Sequence, residues 1–249
     1  MKKKILALAL VVILAVTAVA GASLAYLTDK DEAVNVMTLG NVNIEQNERD
    51  RFGSDFVQNQ NLFPMVDLRA DKTGNPLVAV EGAEPLFHED MKNVIDKFVT
   101  VTNTGDYAVY VRTILAFETA RHYAEGSSTE FTDIHKTYIG VSGTFEYLDL
   151  YITIDGVEYI LAVCTYEVPL QPKETTRASL RQFFMAPTAN NEITALFGDT
   201  YEILALSQAV QAAGFETVGA EYALNAGFGE ITEENAQAWF EQFAAKPQQ

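Results

Sequence analysis

The chain has 249 residues, of which 48% are hydrophobic and 20% charged, and its net charge is −17. This length and composition fit one sizeable domain that buries a full core without disulfides or metals, and the single cysteine excludes an intrachain disulfide. The first 25 residues hold three lysines and no acid, so the rest carries −20. Such an acidic body excludes nucleic acid as a partner and leaves partners with basic surfaces.

Residues 1–25 have the pattern of a secretory signal peptide. Three lysines precede an uninterrupted apolar run at residues 5–16, and small residues follow it. Ser23 and Ala25 have the small-x-small spacing that a signal peptidase accepts, which predicts cleavage between Ala25 and Tyr26. We therefore expect a secreted, extracellular protein that meets the signal peptidase during export and touches a membrane only through this segment.

The alternative is an uncleaved membrane anchor. No charged residue occurs between Lys4 and Asp29, and a run of this length can span a bilayer. In that case the protein would stay associated with the cell surface.

After the signal, residues 36–44 alternate imperfectly between apolar and polar residues, as in a strand with one buried face. Residues 45–92 are rich in Asn, Asp, Gly and Pro, which predicts an irregular insertion with one or two short strands. Beyond it, residues 94–102 and 107–117 are rich in β-branched residues and flank Asn103-Thr104-Gly105-Asp106. This pattern predicts a β-hairpin in which Gly105 takes a positive φ.

Residues 121–143 are polar and are predicted to form a loop. A second hairpin is predicted at residues 148–154 and 157–163, because Asp155-Gly156 between two apolar runs is a strong turn signal. Further strands are predicted at residues 178–185 and 201–208. Many short strands separated by turns favour a sandwich of two antiparallel sheets.

The C-terminal segment 232–243 is predicted to be a helix. Thr232 can cap its first turn, and the two glutamates that follow complement the positive end of the helix dipole. Ala236, Trp239, Phe240 and Phe243 form one apolar face at helical spacing, which either docks on the sandwich or contacts a neighbouring subunit.

Several of these segments resemble the TasA/camelysin family, exported proteins of Gram-positive bacteria with a SipW-type signal peptide. The similarity lies in residues 21–29 and 37–44, in the Asn-Thr-Gly-Asp turn with the following Tyr-Val-Arg, in Pro172-Lys173-Glu174-Thr175, and in residues 208–215. The chain departs from the family pattern at Leu27, Met37, Leu39 and Lys173. The resemblance implies a jelly-roll fold with short flanking helices.

The predicted organisation is therefore a signal peptide at 1–25, a mainly β jelly-roll-type sandwich at 26–215 and a C-terminal helical appendix at 216–249. The irregular insertion at 45–92 belongs to the sandwich domain.

Some camelysin relatives are described as metallopeptidases, and residues 88–92 resemble the zinc motif His-Glu-x-x-His in part. His88 and Glu89 match, but Lys92 stands where the second histidine is needed, and a protonated lysine does not bind zinc. His122 and His135 lie in polar stretches and are predicted to be surface loop residues.

Other chemical signals are weak. Cys164 lies in an apolar strand, which predicts a small buried side chain, and residues 29–32 are predicted to be a solvated charged stretch. The sequence predicts no catalytic residue, no metal and no cofactor.

The resemblance implies a structural subunit of an extracellular matrix or biofilm fibre that assembles by N-terminal strand addition. The candidate donor-strand residues are Val36, Thr38, Leu39, Val42 and Ile44. The expected partners are further copies of the chain or sister matrix proteins. The alternatives are a camelysin-like exported metallopeptidase and a cell-surface binding module held by an uncleaved anchor, with the 45–92 insertion as its contact surface.

Overall fold

A computed structural model describes residues 27–30, 35–39, 42–58, 60–80, 83–120, 134–197 and 200–244, and the fold is mainly β, as predicted. The strands described are β1 (Leu27–Lys30), β2 (Asn35–Leu39), β3 (Ile44–Arg49), β4 (Asn61–Leu62), β5 (Val66–Asp67), β6 (Leu77–Val80), β7 (Ala83–Phe87), β8 (Met91–Lys92), β9 (Val94–Asp96), β10 (Phe98–Asn103), β11 (Val109–Glu118), β12 (Ile139–Gly143), β13 (Glu146–Ile154), β14 (Val157–Leu170), β15 (Leu180–Met185) and β16 (Thr200–Gln211). The helices described are α1 (Ile134–Tyr138), α2 (Asn191–Thr194), a 3-10 turn (Ala195–Phe197), α3 (Gly219–Phe228) and α4 (Glu233–Ala244).

The largest sheet has the strand order β13-β14-β11-β16-β1-β4, with β2 also paired to β16. Its central strand β11 pairs antiparallel with β14 on one side and with β16 on the other. All ten β11 residues are buried, because both faces of the strand are covered. Leu115 and Phe117 point into one hydrophobic cluster, and Ile114 and Ala116 point into another.

The first of these clusters is shared with smaller sheets. One has the order β12-β15-β9, and another is the pair β10-β3. Backbone hydrogen bonds continue between them, since the Lys97 N–H donates to the Arg181 carbonyl and the Ser179 N–H to the Val99 carbonyl. Val99 and Phe183 from these sheets are fully buried against the large sheet, so the main core lies between the sheets.

Helices α3 and α4 cover the other face of the large sheet. As predicted, the Thr232 side chain caps α4, accepting a hydrogen bond from the Asn235 N–H at 3.1 Å. Ala236, Trp239 and Phe240 of its apolar face are buried against the sheet. Burying each large side chain stabilises the docked helix by about 1.5–3 kcal/mol.

Helix α4 also satisfies backbone groups at the outer edge of β13. The Tyr151 N–H donates to a Glu233 carboxylate oxygen at 3.0 Å, and the Thr153 N–H donates to the Gln237 amide oxygen at 2.9 Å. The Gln237 amide nitrogen donates in turn to the Thr153 carbonyl at 2.6 Å. Side chains one helical turn apart thus take the place of a neighbouring strand and protect an edge that could otherwise pair with another chain.

The hairpin predicted at Asp155-Gly156 is confirmed. Ile154 pairs with Val157, and the two turn residues have φ of 50° and 86°. Positive φ at both central positions gives the turn whose twist matches that of the flanking strands. The strand that follows runs as far as Leu170, beyond the predicted end at 163.

The predicted hairpin of residues 94–102 and 107–117 is wrong in its pairing, although both strands exist. Strand β10 pairs with β3, whereas β11 belongs to the large sheet. The connection is an arch between the sheets, held by Asn103, whose side-chain nitrogen donates to the Tyr107 and Leu170 carbonyls at 2.8 and 2.9 Å. Gly105 does not take a positive φ; a Cβ there would lie 3.1 Å from the Asn43 nitrogen, a tight contact that favours glycine.

Two other stretches contain more regular structure than the sequence predicted. The 45–92 stretch holds most of β3 and all of β4 to β8, including the antiparallel pairs β5-β8 and β6-β7. In the stretch predicted as a loop at 121–143, residues 121–133 lie outside the described residues, and α1 and β12 occupy the remainder. Strand pairing with β15 stabilises β12 there, a tertiary interaction that local composition does not reveal.

Candidate functional site

Strand β16 brings the N-terminal segment into the large sheet. One side of β16 pairs antiparallel with β11. Its other side pairs in parallel with β1 near residues 200–202 and with β2 at residues 206–210. These pairings differ from the purely antiparallel arrangement that the sequence predicted.

The register shows that β1 and β2 follow each other along one edge of β16. Thr28 lies opposite Thr200 and Leu39 lies opposite Val210, with residues 31–34 outside the described part. The described parts of the N-terminal segment therefore pair with β16 at residues 200–202 and 206–210. Without it, the backbone N–H and C=O groups on that side of β16 would lose their strand partners.

The side chains of β2 contribute to both faces of the sheet. Val36 is half-buried and packs beside the core cluster that includes Val42 and Ala209. Met37 packs on the opposite face, in the cluster that contains the α4 residues, and its sulfur accepts a hydrogen bond from the Gln208 side chain at 3.5 Å. Leu39 at the end of β2 is 48% exposed.

The five candidate donor-strand residues do not belong to a single strand. Val36, Thr38 and Leu39 lie on β2, whereas Ile44 begins β3 and pairs with Asn103 in a different sheet. Val42, between the two strands, is buried in the core. The chain thus passes from the large sheet to the small one shortly after Leu39. The predicted signal peptide, with Ser23, Ala25 and Tyr26, lies outside the described residues.

A chain of buried polar side chains crosses the space between the sheets close to this segment. The Lys97 ammonium donates to Glu48 Oε2 at 2.7 Å, and the Gln46 amide nitrogen lies 3.3 Å from Glu48 Oε1. Ser207, on β16, donates its hydroxyl to the Gln46 amide oxygen at 2.7 Å. The Thr113 hydroxyl lies 3.1 Å from Ser207 and acts as the donor of that pair, because the Ser207 hydrogen is already used.

Sequence reasoning missed this group of residues, which we call the Lys97–Glu48–Gln46 cluster. Gln46 and Glu48 stand in the polar run Glu45-Gln46-Asn47-Glu48, which looks solvent-exposed, and Lys97 interrupts an apolar strand. In the structure Lys97 is fully buried and Gln46 is 2% exposed. The only sequence signal was a charged residue inside a run that otherwise fits a buried strand.

A second buried polar group lies near the N-terminal end of β16. Glu118 accepts a hydrogen bond from the Glu202 backbone N–H at 2.8 Å, and the Tyr159 hydroxyl donates to the Glu202 carboxylate at 2.5 Å. Burial raises the pKa of Glu118 to about 8; the hydrogen bond from the Glu202 N–H acts in the opposite direction, and the Glu202 charge raises the pKa further. Glu118 is therefore protonated at neutral pH.

The histidines occupy different environments. His135 was predicted to be on the surface, which is wrong: it is fully buried and forms hydrogen bonds with the Tyr201 and Tyr147 hydroxyls. Burial lowers its pKa to about 3, so its ring is neutral. His88 is partly exposed and accepts a hydrogen bond from the Asp90 N–H, and His122 lies outside the described residues.

The segment that partly matches the zinc motif is not helical. Residues 88–90 form a turn that leads into β8, which holds residues 91–92, and the Lys92 ammonium donates to the Glu89 carbonyl at 2.6 Å. Within the described ranges, no three His, Cys, Asp or Glu side chains come together to form a metal site. Among the helices that the structure describes, none has both the length and the apolar character needed to cross a membrane.

Cys164 is buried, as predicted, with 4% exposure. Burial raises the pKa of its thiol, and the Tyr166 and Arg177 side chains act in the opposite direction. A thiol with a raised pKa is a poor nucleophile at neutral pH.

Comparisons with protein-family models, with curated proteins and with solved structures each found no match.

Proposed function

We propose that this chain is a secreted structural protein, a subunit of an extracellular matrix fibre of the TasA/camelysin type. In this proposal its sheets form a jelly-roll-type sandwich, and residues 1–25 direct export. Subunits join when the N-terminal segment of one copy adds to the sheet of the next. Further copies of the chain, or sister matrix proteins, are the partners.

The observation that supports this proposal is the parallel pairing of β1 and β2 with β16. The segment contributes β1 and β2 to a sheet whose other strands come from later residues. The N-terminal strands of a second copy can make the same backbone pairing with β16. Exchange of these strands between copies therefore conserves the hydrogen bonds and needs no new contacts.

The acidity of the body is compatible with this mode of assembly. Residues 26–249 carry a net charge of −20, which disfavours association through broad flat faces. Strand addition gains its free energy mainly from backbone hydrogen bonds and from side chains such as Val36 that enter the core.

The test is a reversible lock on the N-terminal strand. Thr38 and Ala209 are register partners, and neighbouring strands lie within the Cα separation that a disulfide spans. The double variant Thr38→Cys/Ala209→Cys should remain monomeric when oxidised and form filaments when reduced, as judged by electron microscopy and light scattering. The single variant Thr38→Cys is the control and should assemble in both conditions.

Two results would contradict the proposal. One is filament formation by the oxidised double variant at the rate of the reduced protein, since the locked strand cannot be exchanged. The other is that the wild-type protein and a variant lacking residues 26–35 both stay monomeric at all concentrations.

A further inference from the structure

The ribbon of β6 and β7 has an open strand edge. Among the strands that the structure describes, β6 pairs only with β7. The other strand of the ribbon is anchored on β15: the Phe87 N–H donates to the Gln182 side-chain oxygen at 2.8 Å, and the Phe87 ring meets Phe184 edge-on, with 5.0 Å between the ring centroids. The ribbon is therefore fixed through β7, and β6 lies at its outer edge.

The hydrogen bonds of the ribbon show the direction of the β6 backbone groups. The His88 N–H donates to the Pro76 carbonyl at 2.9 Å. Two residues further along each strand, Val78 lies opposite Leu86. Hydrogen-bonded pairs recur at every second residue of an antiparallel ladder, so the N–H and C=O groups of Val78 point to β7.

The residues on either side of Val78 direct their backbone groups away from β7. Leu77 and Ala79 hold these outward N–H and C=O groups. The contact of Asn75 agrees with this direction, because its side-chain oxygen accepts a hydrogen bond from the Leu77 N–H at 3.0 Å. Ala79 is exposed, and Val78 is 43% exposed. An exposed apolar edge of this kind is a template for pairing with another strand.

The charges around β6 favour a second copy of the chain as the partner. Lys72 is the last charged residue before the strand, Glu81 is the first after it, and residues 73–80 carry no charge, although residues 26–249 together carry −20. Asp71, next to Lys72, accepts hydrogen bonds from the N–H and the hydroxyl of Thr73 at 2.9 and 2.6 Å. Antiparallel pairing sets the start of one strand beside the end of the other. Two β6 strands would thus meet at an uncharged edge with opposite charges at both ends.

We propose that β6 pairs with β6 of a second copy, in antiparallel orientation, about a two-fold axis at Val78. Leu77 of each copy then lies opposite Ala79 of the other, and their outward N–H and C=O groups bond to each other. The Leu77 N–H exchanges its Asn75 acceptor for the Ala79 carbonyl of the other copy. The two Val78 side chains meet at the axis as a close, non-hydrogen-bonded pair. An identical strand fits this edge because antiparallel self-pairing closes with two-fold symmetry.

The small size of the contact indicates what it does. β6 has 4 residues, so the contact is far smaller than the interface of a stable dimer, and separate subunits dissociate readily. Repeated along two filaments, the same weak contact adds up and joins the filaments side by side. This lateral role rests on the proposed function. The β6 pair itself does not, because β6 lies outside the N-terminal segment.

The test traps the pair with a disulfide at the two-fold axis. Val78→Cys in the purified chain should form a disulfide-linked dimer in a glutathione redox buffer, because opposite residues of a close antiparallel pair lie within the Cα separation that a disulfide spans. The matched control is Val168→Cys, at a position of β14 that is 79% exposed. The control should give about tenfold less dimer, because no strand pairing raises the effective concentration of its thiol. Cys164 is buried in both proteins.

Second substitutions in Val78→Cys separate strand pairing from mere exposure. Ala79→Pro removes an outward N–H at an edge position, where proline is tolerated, and should lower the dimer yield to that of Val168→Cys. Ala79→Ser keeps the N–H and should leave the yield unchanged. Lys72→Glu, outside the strand, should also lower the yield, which keeps the test decisive if the proline variant does not fold. Equal yields for the two cysteine variants, or a yield that neither Ala79→Pro nor Lys72→Glu lowers, overturns the proposal.

Electron microscopy tests the lateral role. Wild-type filaments should lie side by side, whereas Val78→Lys filaments should be single, because two lysines would face each other at the axis. Equal bundling of both proteins overturns the lateral role. A wild-type chain that forms no filaments contradicts the proposed function, and the cross-linking yields still decide whether β6 pairs with a second copy.

Discussion

Replacement of Glu118 by glutamine should make the protein less sensitive to alkaline pH. Glu118 is 6% exposed, and burial raises its pKa from 4.5 to about 8. The unfolded carboxyl ionises near pH 4.5, whereas the folded one stays protonated. The stability that this difference contributes is complete below pH 4.5 and is lost as the pH rises to about 8.

The magnitude follows from the size of the shift. Each pKa unit corresponds to about 1.4 kcal/mol, so the wild-type protein should lose about 4 kcal/mol more than Glu118→Gln between pH 5 and pH 9. The variant retains an amide oxygen that can accept the Glu202 N–H, so the local hydrogen bond is preserved.

Urea unfolding of both proteins at pH 5 and pH 9 measures this difference in stability loss. The pH dependence that comes from all other ionisable groups is the same in both proteins and cancels in the comparison. Glu167→Gln is the matched control, since it makes the same atomic change at an exposed position of β14 and should follow the wild-type profile. Equal losses of stability in wild type and Glu118→Gln would refute the argument from burial.

Three further predictions concern single residues. His135 has a pKa lowered to about 3, so its ring should show no titration by NMR between pH 5 and 8. The stability that its neutral ring contributes above pH 6.5 should be lost as the pH falls toward 3. Lys173 has φ 69°, so Lys173→Gly should raise the free energy of unfolding by about 0.5–1 kcal/mol and move the urea midpoint upward. Gly143→Ala should lower stability by about 2–3 kcal/mol, because the new Cβ would lie 2.2 Å from the Ser179 carbonyl oxygen. Gly74→Ala, whose new Cβ would lie 3.9 Å from an Asp71 carboxylate oxygen, should change the urea midpoint little; equal effects of the two alanines would contradict the steric argument.

Local signals in the sequence predicted individual elements well. The Asp155-Gly156 turn and the helix that follows Thr232 are confirmed, because a turn and a helix cap are decided by a few adjacent residues. The mainly β fold was predictable for the same reason, since alternation and turn residues identify strands one at a time.

The pairing between strands was harder to predict from the sequence. Asn103-Thr104-Gly105-Asp106 has the composition of a hairpin turn, yet the chain crosses there from one sheet to the other. The difference lies in partners distant in sequence: Asn103 binds the Leu170 carbonyl, and the Thr104 and Gly105 N–H groups donate to Asn43. A local pattern does not contain these contacts.

The buried polar groups were missed for a related reason. His135 and Gln46 stand among polar neighbours, so their sequence context indicates exposure. Each is buried because residues from other strands supply its hydrogen bonds: Tyr147 and Tyr201 for His135, and Ser207 for Gln46. The candidate site was predictable as an N-terminal strand, but its parallel pairing with β16 required the tertiary structure.

The cover that α4 provides over β13 has a consequence for any assembly built from this chain. The Glu233 and Gln237 side chains bind the outward backbone groups of Tyr151 and Thr153, so α4 covers the sheet on that side, whereas the N-terminal strands and β4 complete its opposite side. A filament made by strand exchange would consequently have two unlike tips. One tip would present an unfilled groove beside β16, and the other would carry a free N-terminal strand, so elongation would be directional and a single truncated subunit could terminate it.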